Sequence, residues 1–269
     1  MVGSSCRGFD LVFLVLGLLV GLIGSLLGIG GGVILVPYLH YVASLSFRES
    51  IAVSLFAIVC TSVVASFKRM KARDLRLEVL PVFECSIMLG GLVGGYFGAF
   101  VSEFSLRMVF SLVLFFTATM MLFKGGLTSF FRLKNSVDRR NDDKMTKKTA
   151  LVCGILILIG VIASMSGLGG GVLIVPTLVL VAGYSMRQAS ATSLYIMGVM
   201  AASALLSQWG SVRLSMGDVF LLLVGIFAGA PIGFALADRC PQLWLRRGFA
   251  LLLFFVSIKT IVQTLGQGI

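Results

Sequence analysis

A single histidine, His40, and 11 acidic residues spread over 269 positions leave little from which to build a catalytic or metal centre. One imidazole cannot hold a metal by itself, and the scattered acids make no nucleophile–base pair with it. The five cysteines (Cys6, Cys60, Cys85, Cys153 and Cys240) lack CxxC spacing, and three of them lie inside apolar runs. They read as small core residues, not as a disulfide or metal framework. No GxxxxGK[ST] loop occurs, so nothing points to ATP hydrolysis. Neither a cofactor nor a metal is expected. Charged residues are also scarce, at 12% of the chain, where a soluble domain carries about a quarter.

What fills their place is apolar. Hydrophobic residues make up 58% of the chain, the mean hydropathy is +1.05, and several runs approach or exceed the ~18 residues that cross a bilayer core as a helix. Runs such as LVFLVLGLLVGLIG lack the alternation of a transmembrane barrel. The expectation is an all-α polytopic membrane protein, with the lipid bilayer as its first partner. A net charge of +11 would suggest nucleic acid in a soluble chain. Here it fits Lys and Arg collected in cytoplasmic loops, and no nucleic acid is expected. The first apolar run continues into a motif that recurs later, so it reads as retained and not as a cleaved signal.

That motif is GIGGGVILVP at 28–37, matched by GLGGGVLIVP at 167–176, an offset of 139 with seven of ten positions identical. At the same offset RESIAVSL (48–55) faces RQASATSL (187–194), and LRMVFSLVLFF (106–116) faces LRRGFALLLFF (245–255). At a slightly smaller offset Gly90, Gly94 and Gly98 match Gly225, Gly229 and Gly233. The economical explanation is a duplicated unit. Residues 1–123 form the first membrane repeat, 124–148 a basic cytoplasmic linker, and 149–269 the second repeat. Apolar segments fall at 11–27, 33–46, 50–67, 79–101 and 107–123, then at 149–165, 172–184, 189–208, 217–237 and 248–265. Each repeat is thus a glycine-broken pair of short helices plus three transmembrane helices.

Charge supplies orientation. With loop 68–76 and the linker inside, 17 of the 22 basic residues fall on one side, as the positive-inside rule asks. Equivalent loops carry opposite character: 68–76 is basic and the stretch around Arg213 nearly neutral, whereas 101–107 is balanced and 238–247 basic. Each repeat therefore crosses an odd number of times and the second is inverted. Inverted repeats are the architecture of many secondary transporters, with the site near the midplane. Both termini are expected outside the cytoplasm. Whether each broken pair crosses or re-enters stays open, as does the oligomeric state.

The glycine break has a physical reading. Gly28, Gly30, Gly31 and Gly32, like Gly167, Gly169, Gly170 and Gly171, permit positive φ and leave backbone N–H groups uncovered. A helix beginning there aims its free N–H groups and positive dipole end at the break, where an anion fits. Pro37 and Pro176 leave the Val33 and Val172 carbonyls without an intrahelical N–H. Hydroxyls at Ser25, Ser164, Ser166, Thr192 and Ser193 could complete an oxyanion shell. Gly90, Gly94, Gly98 and their counterparts read first as close-packing seams. Four charged residues are candidates for coupling or charge compensation, each with a blander alternative: Glu84 solvated near an interface, Lys259 paired with an acid, Arg48 and Arg187 as interfacial anchors.

The duplicated GxGGGxxxVP, its short flanking helices and the chain length resemble the TauE/SafE family of sulfite and sulfonate exporters over essentially the whole chain. The resemblance implies plasma-membrane transport and suggests a small anionic substrate, sulfite or an organosulfonate. IAVSL at 51–55 departs from its twin SATSL, which carries Ser190, Thr192 and Ser193. A passive anion channel, a transporter of another small solute or metal ion, and a membrane-embedded enzyme or assembly factor are the alternatives.

Overall fold

The computed structural model describes residues 6–27, 30–70, 80–132, 142–182, 184, 186–208, 216–237 and 242–266. Among these residues there is no strand and there are ten helices: α1 (Cys6–Leu27), α2 (Gly32–Tyr41), α3 (Phe47–Met70), α4 (Leu80–Gly98), α5 (Glu103–Arg132), α6 (Asp142–Ser166), α7 (Gly171–Leu180), α8 (Met186–Ser207), α9 (Met216–Ala237) and α10 (Gln242–Gly266). The chain is an all-helical polytopic membrane protein. Phe47–Ala65, Leu80–Gly98 and Thr149–Ser166 each hold an apolar window long enough to span a bilayer core. Large apolar side chains such as Leu112, Phe116, Leu158, Phe220, Leu251 and Phe255 stand exposed on the outer helices, where lipid covers them.

The helix pattern of the first five elements, with one short helix in second place, repeats in the last five. Its proportions differ from the sequence expectation in one respect. α1 begins at Cys6 and has 22 residues, about 33 Å at the usual rise, so it is a full-length helix. α2 has only 10 residues, about 15 Å. The polar residues that hid the start of α1, Arg7 and Asp10, belong to its first turns. Likewise α5 runs on to Arg132 and α6 starts at Asp142, so helix covers much of the stretch expected as linker. The remainder, 133–141, lies outside the described residues.

Packing crosses between the halves. α1 lies against α9, and α6, the counterpart of α1, lies against α4. α3 packs on α8 at the centre, α3 also meets α9, α8 also meets α4, and α5 meets α10. Exchanging the halves leaves this set of neighbours unchanged, as a two-fold relation requires. Small residues make the two outer seams possible. A Cβ at Gly17 would collide with the Leu222 carbonyl, and one at Gly225 with the Leu14 carbonyl; Gly90 stands in the same relation to the Ile157 carbonyl. Within a membrane such close backbone approach replaces the hydrophobic drive as the source of helix association. The Ser257 hydroxyl adds a buried bond to the Ser111 carbonyl at 3.0 Å, joining α10 to α5.

α3 and α8 supply the deepest part of the core. Ile51, Leu55 and Ile58 of α3, with Leu194, Met197 and Met200 of α8, are buried. These two helices lie between the halves, and the broken segments pack against them.

Candidate functional site

Both breaks adopt the left-handed backbone that favours glycine. φ is 77° at Gly30 and 78° at Gly31 in the first, and 67°, 73° and 69° at Gly167, Gly169 and Gly170 in the second. Gly31 and Gly170 are the N-caps of α2 and α7, and neither helix has a side-chain cap. The first turns close in the same way: Ile34 and Leu35 N–H donate to the Gly31 carbonyl (3.1 and 3.2 Å), Leu173 and Ile174 N–H to that of Gly170 (2.9 and 2.8 Å). The last turns match too. Val42 and Ala43 N–H donate to the Tyr38 carbonyl, Val181 and Ala182 N–H to that of Thr177. One backbone device is therefore built twice, 139 residues apart, and each copy opens a short helix with uncapped N–H groups and a positive dipole end.

The copies meet. A Cβ placed at Gly30 would lie 2.7 Å from Met197 Cε and 3.2 Å from Ile58 Cγ1; one at Gly169 would lie 2.7 Å from Ile58 Cδ1 and 3.2 Å from Met197 Sδ. Ile58 and Met197 stand near the middle of α3 and α8 and are themselves 139 apart in sequence. Each side chain thus touches one glycine from each break. Gly32 faces the other break directly, since a Cβ there would lie 2.5 Å from the Gly167 carbonyl oxygen and 2.7 Å from Ser54 Oγ. The Ser54 hydroxyl donates to that carbonyl at 2.7 Å, fully buried. Helix α3 of the first half therefore holds the break of the second.

Other residues singled out in the sequence fall in three groups. Thr192 and Ser193 are buried on α8, one helical turn from Met197, and Thr192 Oγ1 has no hydrogen-bond partner. Ser25 donates to the Ala230 carbonyl (2.9 Å) and the Leu22 carbonyl (3.1 Å) in the α1–α9 seam. Ser164 donates to Val161 O and Ser166 to Ile162 O within α6. Pro37 lies inside α2. Glu84 is half-buried on α4.

Arg48 donates to the carbonyls of Ala99 and Val101, just past the end of α4. Its guanidinium therefore caps a helix C-terminus, where carbonyls converge and a cation is favoured. Nearby, Ser46 and Glu49 form a capping box for α3, with the Ser46 N–H donating to Glu49 Oε2 at 3.1 Å and the Glu49 N–H to Ser46 Oγ at 3.2 Å. Lys259 is exposed on α10, its Nζ 5.5 Å from the centre of the Tyr41 ring. Gly28 lies outside the described residues, as do the side chains of Pro176 and Arg187. Among the described residues no group of three or more His, Cys, Asp or Glu could hold a metal ion.

Sequence reasoning passed over Ser54, Ile58 and Met197. For Ser54 the signal was available: it stands 139 before Ser193 and is identical to it. Ile58 and Met197 carry no polar mark, and only packing reveals them.

The sulfite exporter TauE/SafE family model matches residues 13–260, a span that includes both breaks, the α3–α8 core and both seams. The chain belongs to this family. It is 28% identical over 275 residues to a probable membrane transporter protein of Haemophilus influenzae, covering 95% of this chain and 99% of that one. A probable membrane transporter protein of Bacillus subtilis is 22% identical over 84% of this chain and 87% of its own. One from Methanocaldococcus jannaschii is 24% identical over 73% and 71%. No solved structure matches significantly. Together with the helical architecture, TauE/SafE membership makes the chain a multi-pass membrane transporter with a small-molecule substrate and a lipid surround.

Proposed function

We propose that this transporter is a plasma-membrane secondary carrier that exports a small oxyanion, sulfite or a short organosulfonate. The anion binds where the two glycine breaks meet and moves by alternating access of two inverted halves. The observation that carries this reading is the convergence of two left-handed glycine breaks, each opening an uncapped short helix, whose Gly30 and Gly169 stand against the same pair of side chains, Ile58 and Met197. Each helix start offers roughly half a positive charge and free N–H donors, and Thr192 adds a buried hydroxyl with no partner. The two helix starts favour an oxyanion over a cation; a cation would have to use oxygen acceptors, such as the carbonyls that Pro37 and Pro176 leave without an intrahelical N–H. The described break residues, 30–32 and 167–171, are buried, so access requires the halves to move, and a common wedge makes opening on one side and closure on the other a single motion.

Isothermal titration of the purified protein against sulfite and methanesulfonate, with potassium, nickel and cobalt salts as controls, tests the sign of the substrate. Heat from an anion is expected. Heat from a metal cation with none from any anion overturns the assignment. Orientation has its own test: reporter fusions in the 133–141 stretch and after residue 269 should give opposite compartment signals. Equal signals would sink the inverted arrangement.

A further inference from the structure

We propose that Lys259, Tyr41 and Gln263 form a second oxyanion site where the far end of α2 meets α10, on the transport path and separate from the glycine breaks. The inference rests on the reading of the chain as an anion transporter. α2 packs against α10 and carries Tyr41 at its last position. Lys259 Nζ sits 5.5 Å from the centre of that ring. Tyr41 Oη and Gln263 Oε1 are both buried without a hydrogen-bond partner, and Gln263 follows Lys259 by one helical turn on the same face of α10. Two orphaned polar atoms beside an ammonium are costly in an apolar setting unless a ligand or ion joins them.

The neighbouring charges are engaged elsewhere. Glu103 pairs with Arg107 at 3.2 Å, the one salt bridge among the described residues. Glu49 accepts from the Ser46 backbone N–H and hydroxyl. Arg48 is held by the Ala99 and Val101 carbonyls. Among the described residues Lys259 thus has a ring face and no carboxylate, while Ile258 and Val262 beside it are exposed. An oxyanion accepts from the ammonium and from the Tyr41 hydroxyl, and from the Gln263 amide once that group turns half-way about its last torsion to present its N–H2. The lone aromatic contact leaves the ammonium's three donors available for such a ligand.

This arrangement exists once. The positions equivalent to Tyr41, Lys259 and Gln263 hold Leu180, Met120 and Lys124. The site also lies one length of α2, about 15 Å, from the Gly31 cap. It therefore belongs to one mouth of the pathway, and it gives an otherwise symmetric protein a difference between its two sides.

The test compares wild type, Lys259→Met, Lys259→Arg, Tyr41→Phe and Gly31→Val in neutral phosphatidylcholine nanodiscs and liposomes, with sulfite as probe. Lys259→Met, which installs the residue found at the equivalent position, should raise the KM for sulfite roughly tenfold with a smaller change in kcat. Lys259→Arg should recover most of that loss, and Tyr41→Phe should lose less than Lys259→Met. Gly31→Val should stop transport yet keep the sulfite-binding heat that Lys259→Met removes. An unchanged KM in Lys259→Met overturns the proposal while leaving the glycine-break reading intact. Wild-type transport by Gly31→Val overturns the glycine-break reading and not this one. If anionic phosphatidylglycerol in the discs abolishes the Lys259-dependent sulfite heat, the site is a lipid-phosphate anchor and its place on the path is refuted.

Discussion

Gly31, Gly170 and Gly154 invite the same substitution, to alanine, and the structure assigns it three different costs. At Gly31 φ is 78°, which costs an L-residue about 1–2 kcal/mol. The new methyl would also lie 2.5 Å from Val20 Cγ1 and 3.0 Å from the Val20 carbonyl oxygen. α1 cannot retreat easily, because Gly21 on its next residue is already against the Ile226 backbone of α9. Overpacking of that kind adds about 1–3 kcal/mol, for a total of roughly 2–5 kcal/mol. At Gly170 φ is 69°, but the nearest atoms are the Ala163 Cβ at 3.1 Å and the Ile174 Cδ1 at 3.2 Å, side chains that need yield only slightly. The loss there is close to the backbone term alone, about 1–2 kcal/mol. Gly154 is helical with nothing within 4 Å of its missing Cβ, so alanine should stabilise by about 0.5–1 kcal/mol. Thermal unfolding midpoints in detergent should therefore rank Gly154→Ala above wild type, then Gly170→Ala, then Gly31→Ala. Valine at 31 or 170 should also abolish transport in proteoliposomes while membrane insertion persists, since insertion depends on the flanking apolar segments. A Gly31→Ala protein as stable as wild type, or less damaged than Gly170→Ala, would refute the strain argument.

Replacing Arg48 by Met removes two charge-assisted bonds to the Ala99 and Val101 carbonyls, worth about 1.5–3 kcal/mol each at most. The unfolding midpoint should fall with the sulfite KM unchanged; a raised KM at an unchanged midpoint would make Arg48 an anion attractor instead of a cap. Ser54→Ala leaves the buried Gly167 carbonyl without its donor, costing about 1–3 kcal/mol. Its transport rate should drop more than that of Ser25→Ala, whose hydroxyl serves the α1–α9 seam; the reverse order would move the site toward that seam.

Different parts of this molecule were legible in the sequence to different depths, and the reason is physical. Membrane helices announce themselves through hydropathy, so their number and order could be read off. Their ends could not, because the first turns of α1 and the last of α5 carry polar and charged residues, such as Arg7, Asp10, Lys124 and Arg132, that break the apolar pattern. The duplication was legible because the αL positions at Gly31 and Gly170 admit little but glycine, and a constraint that strict leaves a mark in both copies. The comparison of IAVSL with SATSL drew attention to the extra hydroxyls of the second copy, Ser190 and Thr192, and so passed over Ser54, the first copy's counterpart of Ser193. Ile58 and Met197 were beyond reach, since an apolar side chain mid-helix looks the same whether it fills a core or separates two helix starts. The deeper obstacle is that the copies are interlocked. Ser54 belongs to the first copy and binds the Gly167 carbonyl of the second; α1 of the first lies on α9 of the second. Aligning the repeats shows which residues are equivalent, whereas contacts such as that of Ser54 with Gly167 join residues that are not equivalent but partnered. Partnership across a two-fold relation follows only from the fold, and it explains why each half, complete in its motif, is incomplete as a site.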